Sequence, residues 1–111
     1  MQQGLLQEEE ERKRNLRQSL QLVFGEVQYN WGLIERAYVP KEVEDTQLKI
    51  GEWSNRHQGL AAEPGFVDAV RASEAAFEAF EHRRDFSEDQ IKQRCMRALK
   101  ALDGAIRSLE S

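Results

Sequence analysis

No stretch of this 111-residue chain approaches the roughly 18 consecutive apolar residues of a membrane-spanning helix, and no basic segment leads into an apolar run as in a secretion signal. A soluble chain is therefore expected. A single cysteine, Cys95, excludes an intramolecular disulfide and is compatible with a reducing cytoplasm, the expected location. Only two prolines and two histidines occur, and no glycine-rich loop follows a strand pattern, so neither a phosphate cradle nor a dinucleotide fingerprint is present. Bases are outnumbered, with 16 Lys and Arg against 20 Asp and Glu, and at a net charge of -4 the average field repels phosphate. These scarcities exclude most familiar chemistries and favour uninterrupted helices.

A hydrophobic content of 40% suffices for one modest core and a single domain. Leu16, Leu20, Val23, Val27, Asn30, Ile34 and Ala37 recur at spacings of four and three, which predicts a first helix starting near residues 3–5. Glu8, Glu9 and Glu10 each precede a base by four residues, a favourable order contributing about 0.2–0.5 kcal/mol per pair. Residues 1–15 thus read as a charged, solvated helical extension of a bundle domain spanning residues 16–111. Pro40 suits a first helical position, and Val43, Gln47, Ile50 and His57 predict a second helix ending at a left-handed Gly59. Residues 47–53, QLKIGEW, also alternate like a strand, but a lone strand has nothing to pair with. Pro64 opens a third helix with Phe66, Val70, Ser73, Phe77 and Phe80 on one face, ending near Arg84. Ser87 and Gln90 form a capping box before a fourth, whose stripe is Ile91, Cys95, Leu99, Leu102, Ile106 and Leu109. The predicted fold is all-α, a small antiparallel bundle of about four helices with a long, overhanging N-terminal helix.

The stretch GEVQYNWGLIERAY, residues 25–38, sets the main question. Apolar residues cover far more than a single stripe of the first helix, leaving a narrow polar seam of Gln21, Gly25, Gln28, Gly32 and Glu35. A helix so broadly apolar is buried on several sides, within its own bundle or against another chain. Asn30 falls inside the packed arc, where an unpaired amide costs about 1–3 kcal/mol and a partner or a register-setting role is expected. Gly25 and Gly32 read either as a smooth groove for close helix approach or as tolerated surface glycines. Phe24, Trp31 and Tyr38 line one flank of the stripe, and Tyr29 and Leu33 extend the other. A bundle this small is expected to cover one flank and leave the other as an interface, so Phe24, Tyr29, Asn30, Trp31, Leu33 and Tyr38 are the candidate partner-binding residues, with Trp31 as anchor.

Candidate catalytic chemistry is sparse. Cys95 lies in the apolar register and reads as core rather than as a nucleophile. Glu78 and His82 form half of a carboxylate–histidine site without a second half, and no metal or cofactor is expected. Lys92, Arg94, Arg97, Lys100 and Arg107 make a basic face on the fourth helix that could take phosphates, though it lacks interleaved aromatics. The expectation is a non-enzymatic helical protein-interaction module, an adaptor, scaffold or accessory subunit, meeting itself or a protein partner. The alternative is a small nucleic-acid-associated accessory protein using the basic face.

Overall fold

The computed structural model describes residues 2–37 and 43–110, with side chains from residue 6 onward. Among these residues the chain forms four α-helices and three short 3-10 turns, without strands. Helix α1 runs Gln2–Arg36, α2 Gly51–Ala61, α3 Val67–Glu81 and α4 Glu88–Glu110, and the assembly is a small helical bundle measuring 58 × 22 × 20 Å. At about 1.5 Å per residue α1 spans roughly 52 Å, so it sets the long dimension. Its first side chains, residues 6–15, are exposed throughout, and packing begins at Leu16. Arg12 marks the point at which the rest of the bundle first meets α1, bonding Glu63 at 2.8 Å and Glu9 at 3.1 Å. Those two carboxylates raise the Arg12 pKa, and Arg12 lowers that of Glu9.

The periodic stripes form the core. Leu20, Val23, Val27 and Ile34 from α1 are fully buried, together with Ile91, Cys95 and Ala98 from α4. Helix α4 packs along both α1 and α3, while α2 leans mainly on α1. Of the polar seam of α1, Gln21, Gly25, Gln28 and Glu35 are exposed and Gly32 is half-buried. The Ser87 capping box forms as expected, Gln90 N–H donating to the Ser87 hydroxyl at 3.1 Å and Ser87 N–H to Gln90 Oε1 at 2.9 Å.

The second helix differs from expectation at both ends. It begins at Gly51, and a 3-10 turn at Asp45–Gln47 precedes it, flanked by extended Glu44 and Leu48. Val43, Gln47 and Ile50 imitate a helical stripe by spacing alone, for only Val43 is buried and the other two are exposed. The alternation in QLKIGEW has no strand behind it: Leu48 is extended, but it lies between a 3-10 turn ending at Gln47 and a helix beginning at Gly51. Gly59 does not stop α2. No described glycine has a positive φ; the helix passes through Gly59 and Leu60 and closes with Ala62 N–H donating to Gln58 C=O. Leu60 is then the one buried residue of α2. The expected start at Pro40 lies outside the described residues.

A candidate interaction groove

Among the described residues four polar ones are buried, and three of them, Glu26, Asn30 and Arg83, fasten one short piece of chain, residues 43–53. Asn30 points its amide out of α1 at the backbone of Lys49, donating to Lys49 C=O at 2.7 Å and accepting from Lys49 N–H at 2.8 Å. The predicted partner is thus the backbone of a residue in the same chain, whose N–H and C=O are both bonded as in a ladder pair. One turn earlier on the same face, Glu26 accepts from Glu52 N–H at 3.0 Å and Trp53 N–H at 2.9 Å. Those are two of the orphan donors at the start of α2, whose N-cap residue is Ile50, with no side chain able to accept them. Helix α1 therefore supplies the cap that α2 lacks, and places a carboxylate at the positive end of its dipole. From the end of α3, buried Arg83 donates to Val43 C=O, to Asp45 Oδ1 at 2.8 Å and to Phe80 C=O at 2.8 Å.

The segment held in this way forms one wall of a groove of about 480 Å³, with α3 as the other. Trp53 and Phe77 lie stacked in it, centroids 5.3 Å apart and planes 5° apart, and Phe77 meets Phe80 edge-on at 5.4 Å. Ile50 forms a lip that is 56% exposed. Asp45, Glu74, Glu78 and Glu81 stand around this aromatic floor, and no base lines it. Asp45 is occupied by Arg83, and Glu78 lies 3.6 Å from Arg94. Glu74 and Glu81 form no ion pair among the described residues, which leaves the rim net negative.

The residues singled out from sequence are divided by the fold. Trp31 is only 6% exposed and belongs to the core, so the expectation that it anchors a partner does not fit its position. Asn30 is consumed inside the chain. Phe24 is half-buried against the core. On the opposite flank Tyr29 is 41% exposed, with the Lys49 ammonium 4.2 Å above its ring, and Leu33 is half-buried. Tyr38 lies outside the described residues. Among the described residues no other helix comes within 4 Å of a Cβ added at Gly25 or Gly32: the first would meet nothing and the second the Arg36 guanidinium.

The basic face of α4 is also thinned. Arg94 turns inward to Ala75 C=O and over the Phe86 ring, and Arg107 pairs with Asp103 at 3.0 Å. Lys92, Arg97 and Lys100 remain exposed without ion pairs among the described residues. Cys95 is fully buried, and desolvation pushes its thiol up to about 12. His82 is exposed, and no cluster of three metal-ligating side chains occurs among the described residues. Sequence reasoning missed Glu26 and Arg83. Glu26 stands four residues before Asn30, so a second polar residue on the face of a conspicuous first one was the available signal. Comparisons with protein-family models, curated proteins and solved structures give no match.

Proposed function

We propose that this chain is a helical protein-interaction module that presents apolar surface to a second protein or to another copy of itself. The observation carrying this reading is the use of the buried polar residues: Glu26, Asn30 and Arg83 hold residues 43–53 so that Ile50 stands in solvent beside an aromatic floor. An apolar residue at an N-cap breaks a local rule, and such breaks concentrate where a surface has a task. Tyr29 and Leu33 extend the apolar area on the far side of Lys49. Nucleic-acid binding through α4 is the competing reading, supported by Lys92, Arg97 and Lys100 alone.

Sedimentation from low to high micromolar concentration, with heparin chromatography in a salt series, tests the proposal. A concentration-dependent sedimentation coefficient that Tyr29→Lys with Leu33→Lys abolishes supports the apolar surface as a contact. Salt-dependent heparin retention that Lys92→Ala, Arg97→Ala and Lys100→Ala together abolish replaces the proposal with the competing reading, since neutralising three phosphate contacts lowers both affinity and salt slope.

A further inference from the structure

We infer that the groove between residues 45–54 and α3 takes a basic amphipathic helix from a protein partner, with bulky apolar residues entering over Trp53 and Phe77 and lysines or arginines meeting Glu74 and Glu81. The inference rests on the interaction-module reading and names the partner's chemistry. The exposed apolar part of the groove is the Ile50 lip beside half-buried Trp53, with Phe77 and Phe80 buried beneath them, and an apolar lip rimmed by polar groups has the make-up of a docking surface. Its apolar part is walled by a fastened segment and a helix, which suits a helix laid into a groove by one face. Charge selects among such helices. The lining carries four carboxylates and no base, with Glu74 and Glu81 lacking ion-pair partners among the described residues. An acidic helix would be repelled on entry, whereas a basic one would gain rate and orientation from the same rim. The rim equally disfavours an anionic lipid surface.

Ile50 permits a test that spares the fold. Ile50 is 56% exposed, and the donors at the start of α2 are already bonded to Glu26, so Ile50→Ser removes the apolar lip while leaving the helix cap in place. The probes are two fluorescein-labelled helical peptides, one of leucine and lysine and one of leucine and glutamate, titrated by anisotropy against the intact chain at physiological salt. The expected result is saturable binding of the lysine peptide only. Ile50→Ser should weaken it about tenfold, as loss of one aliphatic contact buried in the complex implies, with a nearly unchanged melting temperature. Glu74→Lys with Glu81→Lys should also weaken it about tenfold. Glu8→Lys with Glu10→Lys, the same change in net charge on the exposed start of α1, should change it less than about twofold at a salt concentration that screens distant charges. Full binding by Ile50→Ser, or equal losses from the two charge reversals, overturns the inference. So does binding of neither peptide, or amide shifts centred on Tyr29 and Leu33 instead of the groove; in that last case the broader reading stands. Self-association abolished by Ile50→Ser assigns the groove to a second copy and likewise overturns it.

Discussion

Helices α2 and α4 both lie against α1, and they are held there by different physics. Helix α4 presents a continuous stripe, and Ile91, Cys95, Ala98 and Leu102 disappear into the core. Helix α2 buries only Leu60 fully, with Trp53 packed at the core's edge, and polar contacts to α1 tie it down: Glu26 and Asn30 at its entry and Arg56 donating to Ser19 Oγ at 3.0 Å. Apolar packing is non-directional and proportional to area, so it tolerates small adjustments of the elements it joins. A buried amide bonded to both backbone polar groups of one residue tolerates little. The difference implies that α4 contributes most to stability and that the polar fastenings contribute position, above all the position of Ile50 and the groove wall.

Mutations that strike each kind of attachment should separate them. Leu102→Ala should cost about 2–5 kcal/mol in urea unfolding, from lost transfer energy and the cavity it leaves, and should lower the protection of every helix together. Asn30→Ala should cost about 2 kcal/mol, chiefly because Lys49 N–H and C=O lose their partners. Its signature in hydrogen exchange should be local, with fast exchange at residues 49–55 and near-native protection in α1 and α4. Glu26 holds the same segment, so Glu26→Ala in the Asn30→Ala background should cost less than in the native chain. Global loss of protection from Asn30→Ala would mean that the fastening and the core form one cooperative unit.

A smaller effect belongs to the core side of the comparison. Cys95→Ala should destabilise by about 1 kcal/mol through lost packing, and the native thiol should resist polar alkylating reagents. Burial raises the thiol from its ordinary 9.0 to about 12 in the folded chain. Because the folded value lies above the unfolded one, the packed thiol stabilises fully below pH 9, and that contribution is lost as pH climbs toward 12 and the unfolded chain ionises first. Rapid modification near neutral pH would place Cys95 at an accessible site.

What was legible in the sequence follows the same division. The stripes of α1, α3 and α4 repeat over several turns, and repetition is what periodicity detects; those helices appear within a few residues of their predicted limits. Asn30 stood out because it interrupted such a repeat. Its partner did not, because Lys49 is bound through its backbone, and backbone carries no residue identity. Glu26 lay at the edge of an apolar arc and resembled any surface carboxylate. Arg83 sat just beyond α3 among other charged residues, where nothing local distinguishes a buried guanidinium from Arg84, which is exposed. Helix α2 was the least legible element for the reason that it is the least packed. The groove inherits this, since it joins Ile50 and Trp53 to Phe77 and Glu81 through contacts that no spacing along the chain encodes.

The smallest expected effect tests the face of α1 that neither α2 nor α4 touches. Gly25 and Gly32 lie on the polar seam, in regular helix, with no neighbouring helix to justify a missing side chain. A glycine in a helix interior costs about 0.8–1 kcal/mol relative to alanine, mostly through backbone entropy. Gly25→Ala should therefore stabilise the chain by somewhat less than about 1 kcal/mol, because its Cβ enters open space. Gly32→Ala should do nearly as well, since the one group its Cβ meets is the mobile end of Arg36, at 3.6 Å. With two helical turns between them the gains should add to within about 0.5 kcal/mol. Chemical denaturation of the two single variants and the double variant checks this at submicromolar concentration, where any self-association is suppressed. Repeating it at high micromolar concentration sharpens the comparison. If the gain there shrinks or reverses, the seam is a third attachment surface, used between chains through close helix approach. If it persists, α1 meets water on this side at every concentration, and its contacts are those with α4, α2 and α3 on its other faces.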